Sequence, residues 1–490
     1  MLTKIRGLVR MLWGKYKQLP IPVKASLWFM ICSVLQKGMS LITTPIFTRV
    51  MTTEQFGQFT MYTSWSAIVA IFITLNLQAG SFNTAQVKFG DDRNTYTSSI
   101  QGLVTIVALI GIGLFVAFGP TFEKLLKMPF TILLVMLVHI WGQFSINLWL
   151  SNRRFDYKYK SMIVLTLTST VLVQVISLIC VLSFTDRGTV RILSLAAVEV
   201  MLGIGIFIYN LLKGKKFFVG KYWKFALGFN LPLIPYYLSQ LVFSTSDRIM
   251  IDSMVGKDKA GIYGLAHNIA FLITFVVSAI RNAYTPNFFQ KIKSNDSESL
   301  KKSNLQIMLL LAAMLLLFVF VAPELLLIMG GRAYYEAVWV IPPLIAGLLF
   351  EFFTDFSCNV LFFHEKKWIL VISTISCAIV NVVLNYIGIQ MFGYIATAYA
   401  TLICYILFWL ALDAAGRAIC KNNGMNHSNF LCTRQQIYLG VGFLVLTGGC
   451  ILLYSNTILR YSVVALILIV LFLLRKRLMP IIKTVLPFGK

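Results

Sequence analysis

The chain has 490 residues, of which 58% are hydrophobic and 12% charged, with a formal net charge of +25. Soluble domains carry about 45–50% apolar and about 25% charged residues, so this sequence lacks the charge to cover a water-facing surface, and its surplus apolar surface must face lipid. A basic balance also suits a nucleic-acid binder, but basic residues collect equally on the cytoplasmic side of membrane proteins; their placement, taken up below, favours the membrane, and no nucleic-acid partner is expected.

The chain opens on an amphipathic basic stretch. Ile5, Leu8, Val9, Leu12, Trp13 and Tyr16 recur at i, i+3, i+4 spacing, and Lys4, Arg6, Arg10, Lys15 and Lys17 fill other positions. This predicts a helix within residues 1–23 lying on an anionic cytoplasmic leaflet, with no cleavable signal pattern. A membrane helix needs about 20 mostly apolar residues. That ruler predicts about fourteen spans: 25–48, 59–80, 97–118, 129–150, 161–183, 189–212, 224–246, 261–283, 304–322, 336–360, 368–388, 393–415, 436–454 and 458–474. The last is short and ends at Arg475, Lys476 and Arg477.

With the N-terminus in the cytoplasm, alternation puts roughly 31 of the 43 Lys and Arg inside and roughly 10 outside. The inner clusters are Arg153, Arg154, Lys158 and Lys160; Lys213, Lys215 and Lys216; Lys291 and Lys293; Lys301 and Lys302; Lys366 and Lys367; and Arg475 to Arg477. Nearly every second loop is basic, so both termini are expected in the cytoplasm. The outer loops are too short to fold as a catalytic domain, which argues against membrane polymerases and ligases that work through a large external loop; no enzymatic activity is expected. The eight cysteines include no C-x-x-C pair and the four histidines are scattered. They read as packing residues, with no metal or other cofactor expected.

The start and the middle of the chain repeat each other. Arg49-Val50-Met51-Thr52-Thr53-Glu54-Gln55-Phe56-Gly57-Gln58-Phe59 aligns with Ser253-Met254-Val255-Gly256-Lys257-Asp258-Lys259-Ala260-Gly261-Ile262-Tyr263 at an offset of about 204 residues. Gly57 meets Gly261, Phe59 meets Tyr263, and Glu54 meets Asp258. Each copy joins an odd-numbered span to the next through a tight outer loop. A six-span unit thus occurs twice in one orientation, and parallel repeats of this kind place a substrate path at their interface. The domains expected are an N-terminal amphipathic helix at 1–23, an N-lobe of spans 1–6 at 24–220, a C-lobe of spans 7–12 at 221–416, and spans 13 and 14 with a basic tail at 417–490.

The segment Thr44-Pro45-Ile46-Phe47-Thr48-Arg49-Val50-Met51-Thr52-Thr53-Glu54-Gln55-Phe56-Gly57 and its counterpart Ser246-Asp247-Arg248-Ile249-Met250-Ile251-Asp252, continuing to Gly261-Ile262-Tyr263-Gly264, carry a family resemblance. Here the chain resembles the Wzx-type polysaccharide flippases of the multidrug/oligosaccharidyl-lipid/polysaccharide exporter superfamily, over spans 1–12. Many relatives have twelve spans; fourteen is closer to the related lipid II flippases, and the role of spans 13 and 14 is left open. The resemblance implies an all-α membrane protein with two pseudo-symmetric six-helix lobes around a central cavity. It implies an undecaprenyl-pyrophosphate-linked oligosaccharide, of the O-antigen type, as cargo, moved across a bacterial inner membrane by alternating access. It also implies H⁺ or Na⁺ as driving ion, membrane lipids as surroundings, and polysaccharide polymerase or assembly proteins as further partners.

Two basic residues within spans stand out. Lys37 lies about 13 residues past Lys24, or about 20 Å from the inner surface, too deep for easy snorkelling. Charges at such depth face a cavity or a partner, so Lys37 is a headgroup contact or one half of a structural ion pair. Arg281, near the inner end of span 8, suits bidentate contact with a pyrophosphate or anchorage to lipid phosphates. Arg49 and Arg248 end spans 1 and 7 on the outer side, as substrate contacts or gate salt bridges. Asp247 and Asp252 accompany Arg248, and Asp252 is spaced to pair with it along one helix face. Glu199, Glu351, Asp355 and Asp413 also fall within or at the edge of spans. Glu351 and Asp355 are four apart on one face, and close carboxylates share a proton or hold a cation; they are the leading ion-coupling candidates. Pro232 and Pro235 break span 7 early and Pro45 sits within span 1; they read as hinges or as static kinks. The competing transporter reading is a multidrug or cation exporter of the same superfamily, whose cavity should be anionic. A membrane-embedded polymerase or transferase is the third reading, and a passive scramblase a fourth.

Overall fold

The computed structural model describes residues 20–473 apart from 79, 295, 296 and 425. The amphipathic N-terminal stretch and the basic C-terminal tail expected above lie outside the described residues. Among those described the protein is helical, with no strand, and twelve helical segments are long and apolar enough to cross a membrane. The chain forms two compact units, divided between Leu238 and Ser239.

The first unit contains α1 (Ile21–Val50), α2 (Thr53–Thr74), the short α3 (Ser81–Lys88), α4 (Arg93–Ala117), the short α5 (Gly119–Leu126), α6 (Phe130–Phe155), α7 (Tyr159–Ser183), α8 (Arg187–Gly214) and α9 (Gly220–Asn230). Pro45 lies inside α1, and without an N–H it leaves the Leu41 carbonyl unserved. Hydroxyls cluster around this point: Thr43, Thr44 and Thr48 donate to the carbonyls of Met39, Ser40 and Thr44 at 2.9, 2.6 and 3.0 Å. The turn into α2 is closed by a capping box. Thr52 Oγ1 accepts from the Gln55 amide at 3.2 Å and Gln55 Oε1 accepts from the Thr52 amide at 3.1 Å.

α6 and α8 pack backbone to backbone. A Cβ added at Gly203 would lie 2.5 Å from the Gly142 Cα, and helices in lipid associate through such small-residue contacts. Gly203→Val should therefore force α6 and α8 apart, at a cost of about 1–3 kcal/mol or more. The expected readout is a lower unfolding midpoint in detergent, whereas Gly205→Val, with nothing within 4 Å of its added Cβ, should leave the midpoint unchanged.

The seventh expected span, 224–246, is broken. α9 ends at Asn230, a 3-10 turn covers Leu231–Leu233, and α10 (Ile234–Met254) follows. Pro232 sits in that turn and Pro235 in the first turn of α10, where no N–H is needed. Asn230 braces the break, its Nδ2 donating to Ser81 Oγ at 2.6 Å and to the Ala226 carbonyl at 2.8 Å.

Most of α10 belongs to the second unit, with α11 (Lys257–Leu272), α12 (Thr274–Lys293), α13 (Ser297–Gly330), α14 (Ile341–Phe363), α15 (Lys367–Phe392), α16 (Ala396–Asn422), the single turn α17 (His427–Phe430), α18 (Thr433–Leu452) and α19 (Thr457–Leu473). α14 is the axis of this unit; nearly all its positions from Ile341 to Leu361 are buried. Gly256 enters α11 at φ 141°, a conformation glycine adopts without steric cost. The α10–α11 turn matches the α1–α2 turn in place, since Lys257 and Thr53 each begin the helix after it. Two of the fourteen expected spans fall outside the twelve: the broken seventh, and the fourteenth, α19, whose apolar stretch is short.

The basic-loop alternation predicts sidedness directly. Single cysteines placed at Lys215 and Lys366, in a background without native cysteines, should react with an impermeant maleimide only after the inner face is opened. One placed at Lys257 should react in intact cells.

Candidate functional site

Three of the ionisable residues singled out from the sequence meet in the second unit. Glu351 and Asp355 sit one turn apart on α14 and face α12. Arg281 on α12 donates through Nε to Asp355 Oδ2 at 2.6 Å and through Nη2 to Glu351 Oε1 at 3.2 Å. The guanidinium therefore forks across two carboxylates. Their side chains are 34, 31 and 17% exposed for Arg281, Glu351 and Asp355, so the cluster is held in place but open on one side. One cation and two anions leave it net negative when all three are ionised.

Glu351 also faces a second group. With Asp247, His267, Ser244, Thr401 and Tyr405 it lines a cavity of about 70 Å³, room for a few waters and too small for a sugar. Asp247 on α10 is buried; Tyr263 donates to its Oδ2 at 2.6 Å and the Arg248 amide to its Oδ1 at 2.8 Å. The Arg248 guanidinium lies 3.6 Å from Asp247 and donates to the Ser244 carbonyl at 2.6 Å. Its partners are thus its immediate neighbour and the preceding turn, and Asp252 is buried one turn further on. Beside Asp247, Ser246 donates to Asn381 Oδ1 at 2.9 Å, and Asn385 donates to the same oxygen at 3.1 Å. A run of polar side chains thereby links α10 to α15.

Lys37 and Arg49 lie on α1 of the first unit, both exposed. Arg49 donates to the Pro45 carbonyl at 2.8 Å. The first unit also holds a network that the sequence reading missed. Tyr62 Oη and His139 Nδ1 are 2.9 Å apart, His139 Nε2 and Glu199 Oε2 are 2.8 Å apart, and Gln143 Nε2 donates to the same Glu199 oxygen at 3.1 Å. It joins α2, α6 and α8 one turn from the Gly142–Gly203 contact. The signal was present: His139 is an ionisable group inside a span, as rare there as a carboxylate. Asp413 proves structural in its contacts, binding Arg417 at 2.9 Å and accepting from Thr433 Oγ1 at 2.6 Å.

A model of the polysaccharide biosynthesis protein family matches residues 23–292, and one of the MatE family matches residues 232–387. Among solved structures, the lipid II flippase MurJ in an inward closed conformation is similar with a TM-score of 0.64 at 15% identity, over 92% of this chain and 99% of that one. A multidrug resistance MATE family transporter of the MOP superfamily, inward-facing, gives a TM-score of 0.57 at 13% identity, over 79% of this chain and 96% of that one. A Vibrio cholerae MATE transporter gives 0.52 at 14% identity, over 82 and 97% of the two chains. At these identities the likeness is one of fold. No curated protein sequence matches this chain. With more than half its length matched and the fold of the MOP superfamily, the chain belongs to the polysaccharide biosynthesis protein family of membrane proteins.

Proposed function

We propose that this protein is a flippase that carries an undecaprenyl-pyrophosphate-linked oligosaccharide from the cytoplasmic to the outer leaflet of a bacterial inner membrane, by alternating access and driven by an ion gradient. The family match supports a cargo of polysaccharide biosynthesis, and the fold shared with a lipid II flippase supports a lipid-linked one. The observation that carries the reading is Arg281 forked across Glu351 and Asp355 within the membrane-spanning region.

A pyrophosphate entering a site of low dielectric must keep partners for its charge. Arg281 offers the planar fork that phosphates favour, but with both carboxylates ionised its neighbourhood is net negative and repels an anionic cargo. Neutralising the carboxylates, by protons or by Na⁺, turns the same cluster cationic and frees the fork. Cargo binding and ion binding then favour each other, so the ion travels with the cargo and a gradient that falls in the direction of export drives the step. Lys37, deep in the first span, supplies a second cation for the headgroup. Residues 24–220 and 221–416 act as two repeats in this reading, with Gly57 and Gly261 in equivalent places.

A cation exporter is the second reading, favoured by Asp247 and Glu351 on one cavity and by the MatE match over residues 232–387. One experiment separates the two. Protein reconstituted in proteoliposomes with fluorescent lipid-pyrophosphate-sugar should flip it under an imposed pH or Na⁺ gradient and lose that activity when gradients are collapsed. Lys37→Ala should lower the rate about tenfold or more, the loss expected for one charge-assisted contact of about 1.5–3 kcal/mol. Gradient-dependent ethidium efflux without lipid flipping favours the exporter.

A further inference from the structure

At one end of the second unit lies a cationic cavity that plays no part in the cluster around Arg281. It measures about 400 Å³ and is lined by Lys301, Arg417, Ser428, Thr433, Arg434, Gln435 and Ile437, within the about 300–1,000 Å³ of ligand pockets. Its wall comes from the first turns of α13 and α18, the last turns of α16 and the single turn α17. A second recess of about 660 Å³ shares Lys301 and Gln435 and adds Lys302, Ser299, Leu305 and Glu298. Four cations and one carboxylate, Glu298, thus line the two recesses, with Asp413 behind Arg417.

The cavity is built. Buried Asp413 ties α16 to α18 by accepting from Thr433 Oγ1 at 2.6 Å, and it holds Arg417 by Nε at 2.9 Å. Arg417 therefore lines the cavity with its Nε beside a buried carboxylate and nearly half its side chain exposed. Among the described residues, neither Lys301 nor Arg434 forms an ion pair with a carboxylate, so both cations line the recess without a carboxylate contact there. The walls otherwise supply hydroxyl and amide groups, and the first turn of α18 brings its unserved backbone N–H groups to the same place.

The chemistry points to a phosphate, and the surroundings say which kind. Leu305 and Ile437 stand at the lip of these recesses. From them, exposed apolar ridges run along the adjacent helices at four-residue spacing: Leu309 on α13, and Val441 and Val445 on α18, which are 49, 58 and 68% exposed. On α18 the ridge continues for about 12 Å beyond Ile437. A phospholipid seated by its headgroup in the cavity would lay its alkyl chains along these ridges, where the bilayer places them. The alternating charge of the loops puts Lys301, Arg417 and Arg434 on the cytoplasmic side, where anionic lipid is concentrated.

We propose that this cavity binds the phosphodiester headgroup of an anionic phospholipid from the inner leaflet, with Lys301, Arg417 and Arg434 as its charge partners. The site fastens α13, α16 and α18 together at their inner ends and gives the helices beyond α16 a role as a lipid-bound brace.

The test uses the purified full-length protein in neutral detergent. Dioctanoyl phosphatidylglycerol should raise the unfolding midpoint in a saturable way, and dioctanoyl phosphatidylcholine and glycerol phosphate at equal concentration should not. Lys301→Gln with Arg434→Gln should raise the lipid concentration needed by about tenfold or more, each single change giving an intermediate value. Neither change strands a carboxylate, so both variants should unfold like the parent without lipid. Lys213→Gln with Lys215→Gln in the first unit should retain the full response. An equal response to phosphatidylcholine, an equal response to glycerol phosphate, an unchanged response in the cavity variants or an equal loss in the first-unit variant would each overturn the proposal.

Discussion

Arg281→Ala is expected to abolish polysaccharide export and to lower the amount of protein in the membrane, and the two losses should be separable. The substitution leaves Glu351 and Asp355, one turn apart and like-charged, without the cation that both now contact at 3.2 and 2.6 Å. Stranding a fully buried charge costs about 3–5 kcal/mol. Here the groups are 17–34% exposed, which reduces the expected cost to about 2 kcal/mol, still enough to lower membrane abundance several-fold. Removing the stranded charges in the triple variant Arg281→Ala, Glu351→Gln, Asp355→Asn should restore abundance. Export should stay absent, because no fork remains for the cargo. Arg281→Lys keeps the charge and loses the bidentate geometry, so abundance should be near normal and export reduced about tenfold. The measurement is complementation of surface polysaccharide in a strain lacking the parent gene, scored beside membrane abundance. Export by the triple variant at the parent's level would show that Arg281 only holds helices together.

The Arg281 cluster also shows what one sequence conveys. The spacing of Glu351 and Asp355 fixes them on one helix face, and the expected span around Arg281 puts it in lipid; both were legible. Their meeting was not, because it depends on which faces of α12 and α14 pack together, and in lipid the contact is set by local fit and carries little hydrophobic signature. The same limit hid the Tyr62–His139–Glu199 network, whose members lie on three helices and 60 or 77 positions apart. His139 looked like one of four scattered histidines until its partners were placed. The break at Pro232 was legible from the prolines and not from hydropathy. A hydropathy window averages over about twenty residues, so it smooths across a 3-10 turn of three. The proline itself was the better guide. The helical class and most of the spans were readable because each needs only local composition, and the paired turns at Thr53 and Lys257 because a repeat leaves a copy in the chain.

The carboxylates should set the dependence on the ion gradient. In the double variant Glu351→Gln, Asp355→Asn the cluster passes from net negative to net positive at every pH. If neutralising these two groups is the step that admits cargo, the variant is fixed in the admitting state. Binding of a soluble pyrophosphate-sugar analogue should tighten by about tenfold or more, since each removed charge at about 4 Å repels by several kcal/mol before screening. Release should slow in proportion, so gradient-driven flipping should fall by a similar factor while slow exchange in both directions persists without a gradient. Amides replace the carboxylates at nearly equal volume and still accept from the Arg281 guanidinium, but they leave its charge unpaired, so membrane abundance is scored beside transport. The parent and the double variant in proteoliposomes, with and without a pH or Na⁺ gradient, give the measurement directly. Gradient-dependent flipping at the parent's rate in the double variant would confine Glu351 and Asp355 to positioning Arg281 and send the search for the coupling group to Asp247, whose cavity Glu351 shares.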